Sequence, residues 1–214
     1  MKNIRDHNKK AWDSLVEKGN PWTIPVSSVD IKNARNGEWF LLLTPEKPVP
    51  ADWYPDLKDC DVLCLASGGG QQGPIMAAVG ANVTVYDNSP RQLQRDREIA
   101  EQEGLKIETI EGDMRDLHMF PDACFDFIIH PVSNLFVPDI QPVWHEAFRV
   151  LRKGGCMISG FNNPIRYMFD FELEEKGILD VKYSLPYSDL ESTSKEERQK
   201  LIDTGEPFEF SHTL

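Results

Sequence analysis

Three glycines, Gly68, Gly70 and Gly73, match the spacing G-x-G-x-x-G within the run Ser67-Gly68-Gly69-Gly70-Gln71-Gln72-Gly73. Lacking Cβ atoms, such a loop lets a ligand approach the backbone closely, and it opens into a helix start that favours negative charge. Asp87 follows 14 positions after Gly73, and a carboxylate there can accept both ribose hydroxyls of an adenosine. A tight turn would also use the glycines, and Asp87 would also serve as a helix N-terminal charge. Two further polar groups follow, Gly112-Asp113-Met114 and His130-Pro131-Val132-Ser133-Asn134. His130 could act as a base toward an oxygen or amine acceptor, and Asn134 could orient that acceptor. Each also has a plain structural alternative: a loop residue for His130, a turn cap for Asn134.

The elements that must position these residues are legible in the hydrophobic pattern. Asp61 to Ala66 is a short apolar run, read as a strand that opens into the glycine loop. Pro74 suits the first turn of the next helix and Gly80 its end. Strands are predicted at Asn82 to Tyr86, Lys106 to Ile110, Phe125 to Ile129 and Cys156 to Phe161. Helices are predicted from Ser89-Pro90 to Glu103 and from Asp139 to Arg152, with Gly154-Gly155 as the stop of the latter. Strands alternating with helices, most strands nearly all apolar, imply a parallel sheet covered on both faces. In such sheets the ligand sits beyond the carboxyl ends of the strands. Ala66 to Gly73, Asp87, Asp113 and His130 to Asn134 all follow strands and should gather at that edge.

Composition narrows the partners. The 214 residues carry 35 Asp plus Glu against 23 Lys plus Arg, a net charge of -12, so a general nucleic-acid surface is disfavoured because that affinity is mostly phosphate neutralisation. Met1 to Lys10 is polar, and no apolar run approaches the roughly 18 residues of a spanning helix; the expected location is the cytoplasm, with no membrane partner. Cys60, Cys64, Cys124 and Cys156 form no C-x-x-C pair and are expected to be buried reduced thiols, with no metal site. Dinucleotide enzymes usually carry a longer helix between the last glycine and the acid, and place phosphate on the helix start. The short unit here suits a ligand without phosphate.

Five segments in order resemble the class I S-adenosylmethionine-dependent methyltransferases, over roughly residues 58 to 162. Val62-Leu-Cys-Leu-Ala-Ser-Gly68-Gly-Gly70 is similar to the family's first motif, Val83-Thr-Val-Tyr86-Asp87-Asn88-Ser89-Pro90 to its ribose-binding strand and Glu111-Gly-Asp113-Met114 to its adenine turn. Phe125-Asp126-Phe-Ile-Ile-His130 and Phe148-Arg-Val-Leu-Arg-Lys-Gly154-Gly155 resemble the fourth-strand motif and the turn before the fifth strand. The resemblance implies a doubly wound, mostly parallel Rossmann-like α/β sheet and S-adenosyl-L-methionine as cofactor. It also implies that Asp87 and Asn88 lie at the ribose, Asp113 at the adenine amino group and Met114 against the ring. Ala66, Ser67, Gly68, Gly69 and Gly70 would meet the methionyl portion, and the backbone of His130 would face the cofactor. The family usually has an acid where this chain has Cys64 and a glycine where it has Ala66. The implied activity is methyl transfer to a small-molecule acceptor; a nicotinamide-dependent oxidoreductase and a cofactor-binding module without turnover are the alternatives.

Residues 1–57 are expected to form an N-terminal helical cap and linker, with helices over 4–18 and from Ser27 or Ser28 to Gly37, then a proline-rich stretch containing Pro45, Pro48, Pro50 and Pro55. Trp12, Trp22, Trp39 and Trp53 crowd this cap, where they would bind a flat or cationic acceptor or simply attach the cap to the sheet. His7, Asn8 and Trp12 are second-tier cofactor contacts by resemblance. Residues 163–214 mix aromatics with acids and hold the capping box Ser194-Lys-Glu-Glu197, resembling the family's acceptor lid. The family's sheet normally has two further strands, and a helix leading to them would begin at Ser211 to Leu214. The expectation is therefore a shortened form of a longer protein, with Ile178 to Tyr183 or Pro207 to Phe210 folding back on the edge of the fifth strand.

Overall fold

The computed structural model describes residues 4–44 and 47–212. The expectations touching Met1 to Asn3, Pro45, Thr213 and Leu214 lie outside the described residues. Five strands, β1 (Asp61–Leu65), β2 (Asn82–Asp87), β3 (Ile107–Glu111), β4 (Phe125–His130) and β5 (Leu151–Ser159), form one sheet in the order β3-β2-β1-β4-β5, with every pairing parallel. The winding reverses at β1, so the groove beyond the ends of β1, β2 and β4 is where a ligand belongs.

Side-chain alternation along the strands builds two cores. Val62, Cys64, Phe127 and Ile129 face one layer, which includes Ile75, Met76 and Leu93, and Leu63, Leu65 and Ile128 face the other, which includes Val143, Ala147 and Val150. The first layer holds α2 (Ser28–Arg35), α3 (Gln72–Ala78) and α4 (Pro90–Glu103); the second holds α5 (Gln141–Val150). Local signals set the helix ends as expected. Ser89 caps α4 through the Gln92 N–H, Pro90 is its first residue, and Gly104 closes it at φ 64. Ser27 and Asp30 form a capping box on α2.

The α5–β5 junction departs from expectation. The helix gives way to strand directly at Leu151, and Gly154-Gly155 lies within β5 rather than ending the helix. Between the pairs Phe125↔Leu151 and Phe127↔Cys156, β5 advances five residues while β4 advances two. The glycines serve this bulge: Gly154 has φ 87, and a Cβ on Gly155 would sit 2.8 Å from the Asp126 carbonyl oxygen.

The N-terminal helix α1 (Ile4–Glu17) joins the C-terminal segment over the sheet edge. Asn8 donates to the carbonyls of Phe136 and Phe208 and accepts from the Phe208 N–H, while His7 stacks on Phe208 at 4.1 Å. Two further α-helices among the described residues are α6 (Phe171–Glu174) and α7 (Lys195–Thr204), the latter started by the anticipated capping box on Ser194. Neither segment expected to cover β5 pairs with it: Val181 bridges Phe169 and Phe210 bridges Ser188. Both fold instead around the aromatic cluster described below. Of the four tryptophans, Trp39 packs on Tyr54 at 4.8 Å against the core and Trp12 on Phe136 at 5.3 Å, Trp12 and Trp22 line the cleft described below, and Trp53 is exposed. Cys60 and Cys64 are buried as expected, but Cys156 is exposed. Among the described residues no helix is long and apolar enough to cross a membrane.

Candidate active site

A cleft of about 860 Å³ opens at the predicted edge of the sheet. Ala66, Ser67 and Gly68 from the β1 loop, Asp87 and Asn88 from the end of β2, and Asp113 and Met114 after β3 all line it. The parallel sheet brings them together because each follows the carboxyl end of a strand. α1 and residues 20–22 cover this end through Arg5, Asn8, Trp12 and Trp22, and residues after 162 form the opposite wall.

Asp87 is held by main-chain donors, the Gly68 N–H on Oδ2 at 2.9 Å and the Ser89 N–H on Oδ1 at 2.8 Å. Burial pushes its carboxyl above the usual range, and these hydrogen bonds only partly offset the rise. A carboxylate has roughly four acceptor positions, so one donor on each oxygen leaves room for two hydroxyls. Asp113 is more committed: Arg115 donates to both oxygens at 2.6 to 3.2 Å, and Arg5 stands 3.9 Å away. Burial pushes its carboxyl up, but the Arg115 bonds outweigh that and hold it below the usual range. Asn88 is tied to α1, accepting from Arg5 Nε at 3.0 Å and donating to the Arg5 carbonyl at 3.1 Å. Met114, largely buried, forms part of the wall.

Four expected residues lie elsewhere. Gly69 and Gly70, at φ 119 and 74, turn away from the cleft toward the N-terminal cap, where added Cβ atoms would come within 3.0 Å of the Trp22 carbonyl oxygen and 2.9 Å of Pro25. Their absent side chains make room for the cap, which is bonded to the loop through Val26 N–H to Gly70 O and Gln71 Nε2 to the carbonyls of Pro21 and Ile24. His130 is the last residue of β4, not a loop residue, and strand alternation sends it to the same layer as Ile128. Its ring is fully buried, Nδ1 donates to the Leu65 carbonyl at 2.9 Å, and Trp144 packs edge-on at 5.8 Å. Burial pushes its pKa down to about 4, and its own carbonyl accepts from Gly160. His130 is therefore a neutral structural imidazole, with neither ring nor carbonyl in the cleft. Asn134 is buried as well and donates to the Gly160 carbonyl at 2.6 Å, fixing the chain after β4 rather than orienting an acceptor.

The positions that depart from the family motif are both structurally informative. Ala66 takes the left-handed φ of 48, a conformation that disfavours any side chain. Beneath the loop, where Cys64 stands in place of an acid, α4 supplies one: Asp96 is fully buried and its Oδ2 accepts from the Gly69 N–H at 2.9 Å. Motif reading missed Asp96, although it interrupts the apolar stripe Leu93, Asp96, Ala100 of α4 and was detectable as a charge on a buried face.

A family model described as a methyltransferase domain matches residues 63–159, and a curated relative 54% identical over 208 residues spans 97% of this chain and 82% of its own length. The chain belongs to the class I S-adenosylmethionine-dependent methyltransferases. That relative is the uncharacterized methyltransferase YbaJ of Bacillus subtilis (strain 168). A second, the chloroplastic 2-methyl-6-phytyl-1,4-hydroquinone methyltransferase 2 of Oryza sativa subsp. japonica, is 40% identical over 130 residues, 57% of this chain and 35% of that protein. A solved structure from work on conversion of a disulfide bond into a thioacetal group during echinomycin biosynthesis superposes with a TM-score of 0.50 at 18% identity. It covers 71% of this chain and 60% of the other, a likeness of fold. The cofactor is S-adenosyl-L-methionine, and the nicotinamide alternative is set aside. The Asp87 carboxylate, with acceptor capacity left toward the cleft for a vicinal diol, fits that cofactor's ribose.

Proposed function

We propose that the chain methylates a small molecule inside this cleft, in the cytoplasm, with Asp87 anchoring the cofactor's ribose. When bound, the cofactor supplies an electrophilic methyl group on a sulfonium. The protein's part is to hold and to exclude water: Asp87 takes the two ribose hydroxyls, Met114 covers the adenine face, and the backbone of Ala66 to Gly68 borders the methionyl end. Asp113, whose two oxygens already take the Arg115 guanidinium and the Arg115 N–H, would have to share an oxygen with those donors to accept from the adenine amino group. Alignment of acceptor and methyl donor in such a site is worth roughly 7 to 11 kcal/mol in well-oriented systems.

The observation that carries this reading is the placement of Asp87, a half-buried carboxylate lining the cleft with one main-chain donor on each oxygen. Three further observations support it. The volume of about 860 Å³ lies within the roughly 300 to 1,000 Å³ of small-molecule sites. The net charge of -12 opposes polyphosphate acceptors. Free cysteines, two of them buried, are in keeping with a reducing compartment. The segment 163–212 acts as the acceptor-side wall, and residues 4–44 and 47–57 as the cap over the cofactor side.

Calorimetric titration with S-adenosylhomocysteine tests the proposal. Two hydrogen bonds to a charged group are worth about 1.5 kcal/mol or more each, so Asp87→Ala should weaken binding roughly 100-fold. Unchanged affinity in a folded variant would overturn it.

A further inference from the structure

The two ends of the cleft differ in chemistry. Opposite the cofactor residues, the wall is built from Tyr167, Phe171, Tyr183, Tyr187, Asp189 and Glu209. The rings of Tyr167 and Tyr187 stack at 5.2 Å, Tyr183 meets Tyr187 edge-on at 5.1 Å, and Phe171 meets it edge-on at 5.8 Å. Their hydroxyls are aimed at carboxylates. Tyr187 donates to Asp189 Oδ1 at 2.5 Å, and Tyr167 donates to Glu209 Oε2 at 2.8 Å. The Glu209 N–H donates to Asp189 Oδ2 at 2.6 Å, which locks the two acidic residues side by side.

These bonds orient the carboxylates without neutralising them. Of the basic side chains at this end, Lys182 is engaged by Asp170 and Glu197, Lys200 by Glu172 and Arg166 by Glu174, while Arg198, bonded to the Thr193 carbonyl, and His7 act on Asp189, and Arg166 on Glu209, only at longer range. Among the described residues no Lys, Arg or His lies within ion-pair distance of Asp189 or Glu209. Asp189 is 5% exposed, and Glu209 Oε1 receives no hydrogen bond from a described residue. Burial pushes both carboxyls above their ordinary ranges, and Asp189 adds to the effect on Glu209. Two like charges held together out of water are costly unless something supplies the opposite charge. Tyrosine rings attract cations: Lys182 Nζ stands 5.1 Å from the Tyr183 ring centroid, with Tyr167 and Tyr187, each 2% exposed, packed behind in the same wall.

We infer that this end of the cleft is the acceptor subsite and that it takes a small molecule carrying an ammonium group, seated against the tyrosine rings and facing the Asp189 and Glu209 carboxylates. The inference rests on the methyltransferase reading of the same cleft and goes beyond it by naming the acceptor's charge. The surrounding field agrees, since a net charge of -12 concentrates cations near the protein and repels anions.

The test uses two trios that hold shape nearly constant while charge changes: phenethylammonium, 2-phenylethanol and phenylacetate, and butylammonium, butanol and butyrate. Each is titrated calorimetrically into the full chain with and without saturating S-adenosylhomocysteine, then into Glu209→Gln and Asp189→Asn. In at least one trio the ammonium compound should bind ten-fold or more tightly than both isosteres. Either substitution should remove that preference while S-adenosylhomocysteine still binds with unchanged affinity, which also reports that the variant is folded. Binding of the nucleoside with no preference for the ammonium compounds would overturn the subsite alone. A preference that survives both substitutions would do the same. Failure of the wild-type chain to bind the nucleoside would strike the cofactor reading, and the titrations without it would then decide the subsite by the same criterion.

Discussion

Asparagine at position 96 should change how stability depends on pH, because Asp96 is a buried acid with little to keep it charged. It sits on α4 with no exposed surface, its Oδ2 accepts from the Gly69 N–H, and its Oδ1 has no partner among the described residues. Burial pushes its pKa up to about 8, overriding hydrogen bonds from the backbone of Gly69 and Gly70. In the unfolded chain it returns to about 3.9. Between those values the unfolded chain is ionised and the folded chain holds the proton. The contribution of Asp96 is therefore fully present below about pH 4 and is lost as pH rises through about 8. Over the range where one proton separates the states, unfolding free energy falls by about 1.4 kcal/mol per pH unit. Asparagine cannot ionise but keeps an oxygen for the Gly69 N–H. The difference between wild type and Asp96→Asn should therefore shift by about 4 kcal/mol between pH 5 and pH 8, in favour of the variant at the higher pH. Urea unfolding followed by tryptophan fluorescence at several pH values measures it. Parallel wild-type and variant curves would refute the assignment of a buried, protonated acid under the glycine loop.

Two other substitutions test the neighbouring geometry. Ala66→Gly removes the strain of a side chain at φ 48, worth about 1 to 2 kcal/mol, against a loss of roughly 0.5 to 1 kcal/mol from the freer unfolded chain. Its melting temperature should rise by about 2 to 4 °C, and a fall would show that the loop needs the methyl group. His130→Phe loses the bond to the Leu65 carbonyl and should cost about 1 to 3 kcal/mol in denaturant unfolding. Its affinity for S-adenosylhomocysteine should stay within about two-fold, since the ring lies outside the cleft; a ten-fold loss in a folded variant would return the imidazole to the site.

What could be read from the sequence, and what could not, divides along the range of the interactions involved. Buried parallel strands are written as contiguous apolar runs and helix ends as capping residues, so Val62 to Leu65, Ser89-Pro90 and Gly104 declare themselves within a few positions. Asp87 follows from the strand that carries it. The errors arise where the position of a strand's end decides a direction. Extending β4 to His130 turns that ring into the core instead of into a loop, and starting β5 at Leu151 makes Gly154-Gly155 a bulge instead of a helix stop. Gly69 and Gly70 matched a ligand motif, yet their lack of side chains is used by residues 22 and 25 of the cap, some 45 positions away. Asp189 and Glu209 become neighbours because the Ser188–Phe210 bridge and the Glu209 N–H bond to Asp189 join segments 20 positions apart, and no local pattern encodes that. The loop itself shows why a departure from a motif is weak evidence of lost function. Cys64 removes the family's usual acid from β1, but a carboxyl group from α4 bonds the same loop from beneath. Held protonated by burial, Asp96 supplies an acceptor for the Gly69 N–H rather than a charge, so what α4 provides under the glycines is a hydrogen bond and not the electrostatics of an ionised acid.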